Sequence, residues 1–118
     1  MKFFASILVA AALSASPAMA GWAGHDSFVG VKCDDEDVMA AMYAGAKDMR
    51  TANGRRAMAG MNGFKIRSAK TIQATADKLI CQLRISAIHR GTAQTQTGRL
   101  IIQLFPGDRW HASFNPGS

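Results

Sequence analysis

Acid is what this chain runs short of once its first half is passed. From Arg50 onward only Asp77 and Asp108 carry carboxylates, against eleven lysines and arginines, a net charge of +9. Between Gly21 and Met49 the sign reverses: Lys32 and Lys47 face Asp26, Asp34, Asp35, Glu36, Asp37 and Asp48, a net −4. Charge polarised in this way marks the C-terminal part for an anionic partner.

Other scarcities exclude whole chemistries. With only Cys33 and Cys81, 48 positions apart, there is no C-x-x-C redox pair and no zinc knuckle. The three histidines, His25, His89 and His111, form neither H-x-x-x-H nor H-E-x-x-H, and no neighbouring acid or cysteine completes a ligand set. No G-x-S-x-G is present. Gly54-Arg55-Arg56 and Gly60-Met61-Asn62-Gly63 match neither phosphate-loop pattern. The run Asp34-Asp35-Glu36-Asp37 places its carboxylates consecutively, whereas calcium loops place oxygen ligands at alternate positions around a glycine turn. Met39, Met42, Met49, Met58 and Met61 invite comparison with Cu(I) sites, but the first three sit at core spacing on a helix. The reading is non-enzymatic, with no metal and no cofactor.

Long hydrophobic runs are also missing. The longest, Phe3 to Leu13, is shorter than the about 20 residues a spanning helix needs. Preceded by Lys2 and followed by Ala18-Met19-Ala20, it has the layout of a cleavable export signal. The expected organisation is a signal over 1–20 and a single exported domain over 21–118, periplasmic or secreted. No cysteine follows the cleavage site, which disfavours a lipid anchor. In an oxidising compartment Cys33 and Cys81 are expected to pair.

What is present is periodic. Gly21 to Lys32 lacks sustained periodicity and reads as an irregular lead-in. Asp34 is the expected N-cap of a helix running to about Arg50, with Val38, Met39, Met42, Tyr43, Ala46 and Met49 on one stripe, acids at its start and Lys47 and Arg50 at its end. Arg50 to Gly63 reads as a basic connecting loop. From Phe64 the period falls to two. Phe64, Ile66, Ile72 and Ala74 share one face, then Leu79, Cys81, Leu83 and Ile85, with a turn at Gly91-Thr92-Ala93. Leu100, Ile102 and Leu104 follow, and Pro106-Gly107-Asp108 turns into Trp110, Ala112 and Phe114.

The expected fold is α+β: one N-terminal helix packed on a roughly four-stranded antiparallel meander, pinned to the sheet by the disulfide. The outline is similar to the helix-on-curved-sheet shape of cystatin-like domains, an analogy of architecture alone. In that phase Lys65, Arg67, Arg84, Arg99, Arg109 and His111 project from the face opposite the helix, with Arg50, Arg55 and Arg56 in the loop beside it. An outer sheet face is commonly solvated, but one sign of charge makes it a candidate docking surface for an acidic protein or envelope polyanion. Export rules out cytoplasmic nucleic acid. The alternatives are inhibition of a secreted hydrolase and a membrane-active cationic protein, the latter weakened by the acids on the only amphipathic helix.

Overall fold

The computed structural model describes residues 7–9, 21–50, 54–56 and 61–117, with the backbone alone at 7–9. Period-two alternation of apolar residues produces four long strands, β2 (Met61–Ala74), β3 (Lys78–His89), β4 (Thr92–Phe105) and β5 (Arg109–Pro116). Each pairs antiparallel with the next, and a three-residue strand, β1 (Ile7–Val9), adds to the free edge of β5. The sheet order is β1-β5-β4-β3-β2. The remainder of the segment read as an export signal lies outside the described residues.

The hairpins follow from local chemistry. Between β3 and β4 the turn is Arg90-Gly91, both at positive φ (55° and 79°), one residue earlier than the glycine alone suggested. Two such residues match the twist of the flanking strands. The turn between β4 and β5 is the expected Pro106-Gly107-Asp108.

Helix α1 spans Glu36–Ala46, two residues shorter than expected at its start and four at its end. Asp35, not Asp34, is the N-cap. Its carboxylate turns back to accept the Lys32 N–H (3.0 Å), closing the turn that carries Cys33 into the core. Because the disulfide and a Cys33 N–H bond to Thr71 Oγ1 (2.8 Å) hold residue 33 on the sheet, the chain must turn before helical geometry begins. Val38, Met42 and Ala46 are buried as the stripe predicts, with Met39 and Met49 packed alongside. Tyr43 is exposed at its edge, where its hydroxyl accepts the Ile66 N–H (2.8 Å) and its ring meets Phe64 edge-on.

The helix does not open the fold. Ahead of it, the irregular lead-in supplies Trp22, Phe28 and Val31 to the core, Phe28 with no exposed surface. Trp22 and Phe28 meet edge to face, and the Phe28 N–H reaches the Thr75 carbonyl (3.0 Å) at the turn between β2 and β3. Three apolar anchors without regular spacing give no periodic signal, which is why the segment reads as loop. Within this lead-in, His25 bonds Asp37 Oδ2 (2.7 Å) at the surface and ties the segment to the first turn of α1.

Cys33 and Cys81 form the disulfide, both fully buried, with Cα atoms 5.8 Å apart. It fits an oxidising compartment outside the cytoplasm. Pinned this way, α1 covers the inner face of the sheet, where Leu79, Leu83, Ile85, Leu100, Ile102, Ala112 and Phe114 complete the core. No described helix is long and apolar enough to cross a membrane.

Candidate anion-docking face

Burial of the odd residues of β3 and the even residues of β4 and β5 leaves Lys78, Ile80, Gln82, Arg84, Ser86 and Ile88, then Thr95, Thr97, Arg99, Ile101 and Gln103, then Arg109, His111, Ser113 and Asn115 facing outward. Strand β2 joins this face through its bulges. Register with β3 slips between Asn62 and Lys65, between Ile66 and Ser68, and between Thr71 and Gln73. Each extra residue reverses the alternation beyond it. Ile72, expected in the core, is therefore 40% exposed, while Thr71 turns inward to hold Cys33. Lys70, which a uniform alternation would bury, stands on the outer face opposite Gln82.

Three adjacent rows run across the sheet. Lys65 pairs with Ser86, and Ser86 with Thr95; Ser68 pairs with Arg84, and Arg84 with Thr97; Lys70 pairs with Gln82, Gln82 with Arg99, and Arg99 with Asn115. Lys65, Lys70, Arg84 and Arg99 thus each sit directly across from neutral polar side chains. Like charges placed opposite one another destabilise a sheet, so this stagger lets the face hold concentrated positive charge at little cost. Arg84 is diagonal to both Lys70 and Arg99, a separation of roughly 7–8 Å in antiparallel sheets. Among the described residues no carboxylate pairs with Lys65, Lys70, Arg84 or Arg99. Asp77, at one end, is occupied by neutral donors, Gln103 Nε2 (3.2 Å) and Thr75 Oγ1 (3.3 Å).

Arg67 is the extra residue of its bulge, and its Nε donates to Ser86 Oγ (2.9 Å), which brings the guanidinium over the outer face. With Ser68, Arg84 and Thr95 it lines a shallow depression. Arg109 lies at the far end of the face, its Nε donating to the Pro106 carbonyl (3.2 Å). The loop arginines form a separate group: Arg50 and Arg56 pair as an isolated bridge, and Arg50 Nη1 donates to the Gly54 carbonyl (3.3 Å). Arg55 is exposed between them. Residues 51–53 and 57–60 of this loop, Met58 included, lie outside the described residues.

Sequence reasoning therefore places Lys65, Arg67, Arg84, Arg99 and Arg109 on the outer face, and the structure does the same. It missed Lys70 and Lys78. A lysine at an apolar phase position was the available sign of a bulge near residue 67.

A further concave feature is apolar. Between α1 and the sheet, Met42, Ala46, Met49, Phe64, Leu100 and Trp110 help to line a cavity of about 50 Å³. Small-molecule pockets span roughly 300–1,000 Å³, so this one is a packing void. Among the described residues no three histidine, cysteine, aspartate or glutamate side chains converge in a way that could hold a metal ion. Comparison of the chain with protein-family models, with curated proteins and with solved structures gives no match.

Proposed function

We propose that this is a small exported, non-enzymatic binding or accessory protein that docks an acidic protein or envelope polyanion on its outer sheet face. The observation that carries the reading is the arrangement of Lys65, Lys70, Arg84 and Arg99, each set opposite a neutral hydrogen-bonding side chain and none paired with an acid. A face that only needed solubility would intersperse both signs. Here the cations are concentrated on one side of a rigid, disulfide-stapled sheet, and the hydroxyls and amides between them can bond an extended partner. The exposed loop cations Arg50, Arg55 and Arg56 add to the basic potential of this half of the chain and steer the partner toward it.

The test is capture of envelope components by the oxidised protein at low salt, with an Arg67→Glu, Arg84→Glu, Arg99→Glu variant alongside. Exposed positions tolerate these changes, so circular dichroism is expected to stay the same while capture is lost. Equal capture by the two proteins overturns the reading.

A further inference from the structure

We infer that the depression formed by Arg67, Ser68, Arg84 and Thr95 is a site for a phosphomonoester group, and so that the partner is a phosphorylated envelope polymer. The inference rests on the docking reading and narrows it to one chemistry.

Three features of the depression support it. First, it is lined by two guanidiniums and two hydroxyls and by no acid. A carboxylate offers two oxygens in one plane, which one arginine fork satisfies. A phosphomonoester offers three acceptor oxygens on a tetrahedron, enough for two guanidiniums and the hydroxyls together. Second, two fixed positive charges match the −1.5 to −2 that a phosphomonoester carries near neutral pH better than the single charge of a sulfate ester or carboxylate. Third, one of the forks is already held. Arg67 Nε is committed to Ser86 Oγ at 2.9 Å, leaving its terminal nitrogens to reach a ligand. Ser86 lies in the next row, paired with both Lys65 and Thr95, so the guanidinium is positioned by the sheet itself. Less side-chain freedom is then lost on binding.

The same face explains why the group should be borne on a polymer. The row Lys70, Gln82, Arg99 and Asn115 continues beside the depression across four strands, giving further cations and amides along which a chain of phosphorylated units can lie. An isolated exposed phosphate contact is weak, and its repetition along a strand of charges supplies the affinity.

The experiment measures binding of the full-length oxidised protein to three dextrans of matched charge density: phosphorylated, sulfated and carboxymethylated. Phosphorylated dextran is expected to bind at least tenfold more tightly than carboxymethyl dextran. Its advantage is expected to grow from pH 5 to 7.5, as the phosphomonoester takes its second charge near pH 6. Dextran sulfate keeps a fixed charge over that range, so it reports any pH dependence that comes from the protein rather than from the polymer. Two charge-neutral variants localise the effect: Ser68→Ala with Thr95→Val removes the hydroxyls, and Arg67→Lys removes the fork. Both are expected to lose the preference for phosphate while binding carboxymethyl dextran as before. Equal binding of all three polymers, or a preference unmoved by the variants, overturns the phosphate site and leaves docking by charge standing. Tighter binding of dextran sulfate without pH dependence overturns the phosphomonoester assignment. Failure of every polymer to bind at low salt overturns the docking reading itself.

Discussion

Removing the Cys33–Cys81 bridge perturbs this fold at the point where helix, lead-in and sheet meet. The bridge closes a loop of 48 residues, and in the chain-entropy account such a closure stabilises the native state by about 4 kcal/mol. A domain of about 100 residues has a total stability of roughly 5–15 kcal/mol, so the loss takes a large share of it. With an unfolding entropy near 2 cal/mol/K per residue, the melting temperature should fall by roughly 20 °C. Both sulfurs are fully buried, so a Cys33→Ala, Cys81→Ala variant also leaves a small void and should be no more stable than the reduced protein. Urea unfolding followed by circular dichroism, with and without reductant, measures the difference. The reduced chain should also show a steeper dependence on urea, because an unlinked denatured state exposes more surface. A loss below about 1 kcal/mol with an unchanged slope would refute the reasoning. It would mean that Trp22, Phe28 and Val38 hold the start of α1 in place by packing alone.

Three smaller perturbations test individual contacts. Gly98 lies beneath the Phe114 ring, and a Cβ there would also stand 2.7 Å from the Asn115 carbonyl oxygen, so Gly98→Ala should cost about 1–3 kcal/mol in urea unfolding. The hydrogen bond from His25 holds the Asp37 carboxyl below the ordinary carboxylate value. Stability from this contact is present above the ordinary carboxylate pKa and fades as pH falls through the depressed value. His25→Ala should move the Asp37 titration midpoint, read by NMR, up toward normal, with only a slight stability change because the pair is exposed. Ile72→Thr, at the exposed bulge position, should cost under about 1 kcal/mol, whereas Ile66→Thr, in the core, should cost clearly more. Equal costs would contradict the observed register.

Much of this architecture is legible before any coordinates. The helix shows itself through Val38, Met42 and Ala46 at helical spacing, and β3 to β5 through strict alternation, because those elements bury one face and leave the other in water. What escapes is what breaks period. The bulges of β2 swap the roles of Thr71 and Ile72 and bring Lys70 outward, and near residue 67 neither glycine nor proline marks the bulge, so the one local sign is Lys70 at an apolar phase position. Trp22, Phe28 and Val31 contribute to the core from irregular backbone, so their burial depends on partners far along the chain, Thr75 among them. The basic face was visible as a shortage of acids, but its stagger against Ser, Thr, Gln and Asn is set by strand register. The Arg67, Ser68, Arg84 and Thr95 depression exists only because a bulge lets Arg67 lean back over Ser86.

Docking of an anionic partner on the outer sheet face is the proposal on which the rest depends. NMR titration of the oxidised protein with an anionic dextran tests it most directly, read at arginine Nε–H groups and at Ile and Thr methyls. Shifts are expected at Arg67, Arg84, Arg99, Thr95, Thr97 and Ile101 that weaken as salt is added, with Leu79, Leu83 and Ile102 on the buried face unmoved. Shifts confined to α1 or to the loop arginines Arg50, Arg55 and Arg56, with the outer face silent, would contradict it.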